Sequence, residues 1–121
     1  FRFLRERLAE LGEFLILPEA TSGSDPCWFG FPLTLREGAG VERVELLRYL
    51  EQCRIGTRLL FAGNLLRQPY FRDRDYRVQD DLGNTDQVMH NTFWIGLYPG
   101  LGENALGYAA EKMGQFFGVG F

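Results

Sequence analysis

Between Ile55 and Phe71 the chain reads IGTRLLFAGNLLRQPYF, and its polar residues are of kinds that grip ligands. Arg58 comes early in an apolar, strand-like run, and Asn64, Arg67 and Gln68 follow where that run gives out among aromatics. Strand ends and the loops after them are where α/β and α+β proteins place ligand contacts. A half-buried guanidinium needs an anion or a carbonyl. Arg58 therefore suits a phosphate or carboxylate ligand, or equally a bridge to an aspartate of the loop that follows. A second polar group, Asn91 and Thr92 beside Phe93 and Trp94, offers a sugar amide and hydroxyl contacts against an aromatic platform. Polar members of an ordinary strand would look the same. His90, the one imidazole, could carry a proton near neutrality or be a hydrogen-bonded strand residue.

Other chemistries find less support. The chain has no P-loop, no G-x-S-x-G and no H-E-x-x-H. Cys27 and Cys53 are single and far apart, and with one histidine they complete no metal-binding set. Both lie in apolar periodic segments, which points to buried free thiols and a cytoplasmic setting. A formal charge of -3 with no dense basic stripe argues against nucleic acid. No run reaches the ~18 apolar residues of a membrane span.

The elements that would position these groups follow from periodicity. The 121 residues make one domain, 1–121. Leu4, Leu8, Leu11 and Leu15 form one helical face from the first residues onward. That pattern starts without a cap, as in a piece cut from a longer polypeptide. After a loop of breakers (Pro18 to Pro26), Cys27, Phe29, Phe31, Leu33 and Leu35 alternate with Trp28, Gly30, Pro32 and Thr34. This is a half-buried strand, and Pro32 pushes it towards a sheet edge or bulge. Val41 to Cys53 is helical, with a stripe of Val44, Leu47, Leu50 and Cys53, widened by Val41 and Leu46, and a charged flank that reads as a solvated face. Thr57 to Phe61 is the second strand and Val88 to Tyr98 the third, with a helix from Glu103 to Phe117. Ala62 to Asp86 is a long connection, with one helical turn at Asn64 to Gln68 and Tyr70, Phe71 and Tyr76 as anchors.

The order α-β-α-β-β-α predicts an α+β fold. Its three-stranded, mainly antiparallel sheet has the third strand between the first two and helices on one face. With 11 Phe, 5 Tyr and 2 Trp, the other sheet face is expected to be apolar and to meet a further domain or a second subunit.

Three strings carry a family resemblance: LGEFLILPEATSGSDPCWFGFPLTL, IGTRLLFAGNLLRQPYF and NTDQVMHNTFWIGLYPGL. They resemble the C-terminal part of CDP-4-keto-6-deoxyglucose 3-dehydrases, in the DegT/DnrJ/EryC1/StrS aminotransferase-like group. The resemblance implies the small C-terminal domain of a fold-type I enzyme of lipopolysaccharide (O-antigen, dideoxysugar) biosynthesis. Such an enzyme uses pyridoxamine 5'-phosphate, or PLP, to remove the C3 hydroxyl of a CDP-sugar. In that branch a histidine replaces the Schiff-base lysine. The resemblance puts that histidine, the phosphate contacts and any iron–sulfur cluster in the absent N-terminal domain, so His90 is not promoted to the role. It implies a homodimer and a reductase partner, and no activity of this chain in isolation. By position, Phe29 with Trp28, Arg58 with Thr57, Asn64 and Arg67, and Asn91 and Thr92 with Phe93 match stretches that would face the sugar nucleotide or the subunit interface. Arg58 is expected to contact an anion or hydroxyl, and Asn91 the sugar. A PLP-dependent sugar-nucleotide aminotransferase and a non-enzymatic dimerisation or binding module stand as alternatives.

Overall fold

In a computed structural model the structure describes residues 1–120. The leading helical pattern divides into two pieces. Helix α1 (Arg2–Arg7) tightens into a 3₁₀ turn at Leu8–Leu11. The chain then enters a short strand, β1 (Leu15–Ile16), which adds a fourth strand to the three expected. Leu4, Leu8 and Leu11 are fully buried from the helical segment, and Leu15 is buried as a strand residue. Four leucines on one line thus serve two elements.

Strand β2 (Gly30–Leu35) keeps the expected alternation, with Phe31, Leu33 and Leu35 turned into the core. Helix α2 (Arg43–Gln52) is opened by a capping box. The Glu45 carboxylate accepts from the Glu42 N–H, and the Glu42 side chain accepts from the Glu45 backbone. Its buried stripe is Leu46 and Leu50, whereas Val44 stands in solvent. The core thus takes the i, i+4 pair rather than the three-residue steps, which drift around a 3.6-residue helix.

Strand β3 (Thr57–Leu59) is followed by 3₁₀ turns at Leu65–Arg67 and Pro69–Phe71, the first being the helical turn expected before Pro69. Tyr70, Phe71 and Tyr76 pack edge-on against one another, at 5.3 and 6.2 Å between ring centres. They anchor each other and not the core, since Tyr70 and Tyr76 are exposed.

Residues 83–91 form helix α3 (Gly83–Asn91), so the strand expected from Val88 begins only at Thr92. Leu82 in the left-handed region turns the chain into α3, and the Asp81 side chain accepts from the Gly83 N–H at 2.9 Å. Asp86 in the first turn complements the helix dipole. Strand β4 (Thr92–Gly96) and helix α4 (Glu103–Phe117) complete the fold.

The sheet order is β1-β2-β4-β3, antiparallel throughout, with β4 between β2 and β3 as the pattern required. Opposite Pro32, β2 pairs only with β4, because β1 reaches no further than Thr34 and Leu35. The missing N–H of Pro32 therefore interrupts nothing on the β1 side. Side chains from β2 and β4 share one core with α1, α2 and α4. Cys27 is exposed and Cys53 half-buried, both as free thiols, so burial of Cys27 is not observed. Its segment leaves the alternating pattern before the sheet begins at Gly30. Among the described residues no helix is long and apolar enough to cross a membrane, and no cluster could hold a metal ion.

Candidate functional site

The sheet face away from the shared core gathers the first group of candidates. Pro32, Trp94 and Arg58 lie directly across from one another on β2, β4 and β3. Directly opposed residues of antiparallel strands put their side chains on the same face. The Trp94 indole is fixed twice: its Nε1 donates to the Leu59 carbonyl at 3.3 Å, and its ring lies over Gly30. A Cβ built at Gly30 would stand 2.3 Å from that ring, so only glycine admits this packing. Phe29 meets Trp94 with ring centres 4.7 Å apart. Together with Trp28 and Phe61 these rings border a recess of about 210 Å³. Phe29 is 71% exposed and Phe61 81%. Arg58 is exposed, and the one hydrogen bond of its side chain among the described residues is to the carbonyl of neighbouring Thr57 at 3.5 Å. No aspartate of the loop reaches it, and the bridge that stood as its alternative role is absent from the described residues.

A second group forms around Asp86. Asn64 is buried, donates its side-chain amide to the Asp86 carboxylate at 2.7 Å, and accepts from the Leu66 N–H at 3.1 Å. Arg67 grips the same carboxylate through both Nε and Nη2. The bonds from Arg67 and then Asn64 hold the Asp86 carboxyl well below the usual carboxylate range, and the carboxylate in turn raises Arg67. Asn64 and Arg67 are therefore committed to a partner within the chain. The neck of the excursion closes beside them. Gly63, at φ +63°, leaves room for Met89, whose side chain a Cβ there would meet at 2.5 Å.

The third pair separates. Thr92 is buried, and its hydroxyl lies 2.7 Å from that of Thr34. Asn91 ends α3 and lines a groove with Arg36 and Glu42, away from the aromatic recess. Phe93 is fully buried in the core, so the aromatic platform expected here consists of Trp94 alone. His90 is exposed on α3, in a helix and not a strand.

Two residues escaped the sequence reading. Asp86 joins Asn64 and Arg67 from a distance along the chain that no local spacing marks. Arg43, taken for part of a solvated flank, donates to the Met89 and Thr92 carbonyls at 2.7 and 2.9 Å. It thereby ties α2 to the junction of α3 and β4, and partial burial lowers its pKa. A cation here also complements the C-terminal end of the α3 dipole.

Residues 1–114 match the DegT/DnrJ/EryC1/StrS aminotransferase family. The chain belongs to this family. It is 57% identical, over all of its length and 28% of the relative's, to lipopolysaccharide biosynthesis protein RfbH of Salmonella typhimurium. It is 47% identical over 116 residues to dTDP-4-dehydro-2,6-dideoxy-D-glucose 3-dehydratase of Saccharopolyspora spinosa, covering 96% of the chain and 25% of that protein. The chain thus spans about a quarter of the length of these relatives. Escherichia coli GDP-4-keto-6-deoxy-D-mannose-3-dehydratase, solved with hydrated PLP, superposes with a TM-score of 0.82 at 21% identity, over 92% of this chain and 28% of that one. A family aminotransferase from Brucella abortus gives 0.77 at 18%, over 97% and 30%. The α+β fold is that of the C-terminal region of fold-type I PLP-dependent enzymes.

The donor set of this chain does not by itself fit the pyridoxal or pyridoxamine phosphate that such a fold implies. The single lysine, Lys112, lies on α4, bonded to Gln115 and 5.4 Å from the Tyr108 ring centre. His90 is exposed on α3 and Arg58 on β3, and among the described residues no hydrogen bond or ion pair joins the two into an anchor and phosphate cradle.

Proposed function

We propose that this chain is the C-terminal small domain of a sugar-nucleotide 3-dehydratase acting on CDP-4-keto-6-deoxyglucose in dideoxyhexose and O-antigen biosynthesis. The observation that carries the reading is 47% identity, over nearly the whole chain, to a protein named as a sugar-nucleotide 3-dehydratase. The likeness to RfbH and the 3-dehydrase character of the TRLLFAGNL and RQPYF strings support it. In this reading the pyridoxamine phosphate and the residue that moves protons on it belong to a large N-terminal domain. The present residues contribute Arg58 and the aromatic recess to the substrate side, and the clamp on Asp86 holds the neighbouring loop. Asn91 contacts the sugar from the end of α3. The enzyme works as a homodimer with a reductase partner, and the rest of the assembly meets the open sheet face around the recess and leaves the recess to the substrate.

The test is the coding sequence upstream of Phe1, followed by a chimera. A cofactor domain with histidine at the Schiff-base position supports the dehydratase, lysine there supports an aminotransferase, and an unrelated upstream sequence overturns both. Grafted in place of the corresponding region of the Salmonella relative, the chain is expected to sustain loss of the C3 hydroxyl from the CDP-sugar. This chain alone is expected to show no turnover.

A further inference from the structure

We propose that the aromatic recess on the open sheet face binds the nucleobase of a nucleoside diphosphate, with Arg58 on the diphosphate. This deepens the proposed function and rests on it for the ligand class. The geometry makes three demands of any occupant. The recess is about 210 Å³, below the ~300–1,000 Å³ of pockets that enclose a whole drug-sized ligand. It therefore accepts one ring and leaves the remainder of the molecule outside.

The walls are the faces and edges of Trp28, Phe29, Phe61 and Trp94, which favour a flat, polarisable ring. The platform is already built. Trp94 is held from one side by the Leu59 carbonyl and from the other by the absence of a side chain at Gly30. Little side-chain freedom remains to be lost there when a ring arrives.

The third demand is electrostatic. Arg58 stands next to Trp94 on the same face, and no carboxylate pairs with it among the described residues. No acidic side chain lines the recess. A wholly apolar partner laid over this face would strip water from the guanidinium without replacing it, which costs heavily. A ring that carries an anion satisfies both parts at once, since stacking fills the recess and charge-assisted hydrogen bonds engage Arg58. A second copy of this chain pairing by the same face would bring a second unpaired Arg58 instead of an anion.

Both tryptophans of the chain, Trp28 and Trp94, border the recess, so intrinsic fluorescence reads this site directly. CDP titrated into the 121-residue chain is expected to quench that emission saturably, and cytidine to do so more weakly. Phe61→Ala is expected to weaken both by roughly tenfold. Because Phe61 is 81% exposed, its truncation leaves the core intact, which circular dichroism verifies. Arg58→Gln is expected to weaken CDP by a similar factor and leave cytidine unchanged, a split that general loss of structure would not produce. Tighter binding of GDP or dTDP than of CDP supports the recess while overturning the CDP assignment of the proposed function. No quenching by any nucleotide overturns the inference, whether or not the chimera turns over substrate. Quenching by pyridoxal phosphate in place of nucleotides overturns it too, as does self-association that abolishes the signal.

Discussion

The two faces of β4 differ sharply in what covers them. Phe93 and Ile95 point into a core closed by helices from three parts of the chain, and they are 0% and 3% exposed. Trp94, on the opposite face of the same strand, sits among the exposed Phe29 and Phe61 and beside Arg58, which no carboxylate pairs among the described residues. One face is satisfied by what this chain contains. The other carries exposed aromatic area and a charge that no carboxylate pairs among the described residues, as a face built to meet a ligand or partner would.

The largest break in that contrast is expected from a paired truncation. Phe93→Ala should cost about 3–5 kcal/mol in denaturant unfolding, through lost transfer and a cavity. Phe61→Ala should stay within about 0.5 kcal/mol. Similar losses at both sites would mean that the open face belongs to the core after all. Gly30→Ala probes the link between the faces. Its Cβ collides with the Trp94 ring, so a loss of about 1–3 kcal/mol should come with a shifted tryptophan emission. An unchanged spectrum would show that Trp94 is not seated over Gly30.

Smaller effects should arise in the excursion between β3 and α3. Asn64→Ala removes a cap from the Leu66 N–H, and about 1 kcal/mol of stability is expected to go with it. The weakest effect is one of pH. Because the Asp86 carboxyl is depressed in the folded chain, its contribution is complete above the ordinary carboxylate value of ~3.9 and is lost as pH falls through its folded value. Amide-exchange protection of α3 should therefore decline on acidification below that ordinary value, and Asp86→Asn should flatten the decline. A decline that survives Asp86→Asn would assign it to another group.

Much of this arrangement could be read from the residues. The alternation from Cys27 to Leu35 gave the core face of β2 correctly from Phe31 onward, and the central antiparallel place of β4 followed from topology alone. Phe29 left the pattern because the sheet begins one residue later, at Gly30. Val88 to Asn91 was misread as strand because an apolar run this short fits either period. The deciding marks were the Asp81 to Gly83 turn and the acid at Asp86, both helix-entry features. For the candidate residues, the sequence showed the side-chain types but not which of them group together. Arg58 and Phe29 came together around Trp94, whereas Asn64 and Arg67 proved to serve Asp86. A pairing across 22 residues, as from Asn64 to Asp86, or across 46, as from Arg43 to Met89, has no signature along the sequence.

The closed neck at Gly63, Met89 and Asp86 has a further consequence for how such a protein can change. Once the two ends of an excursion are stapled together, its tip can lengthen or shorten at only ~0.6 kcal/mol per doubling. Residues 72–81 are thus a place where new insertions, and new specificities with them, can be tried while the sheet beneath keeps its shape.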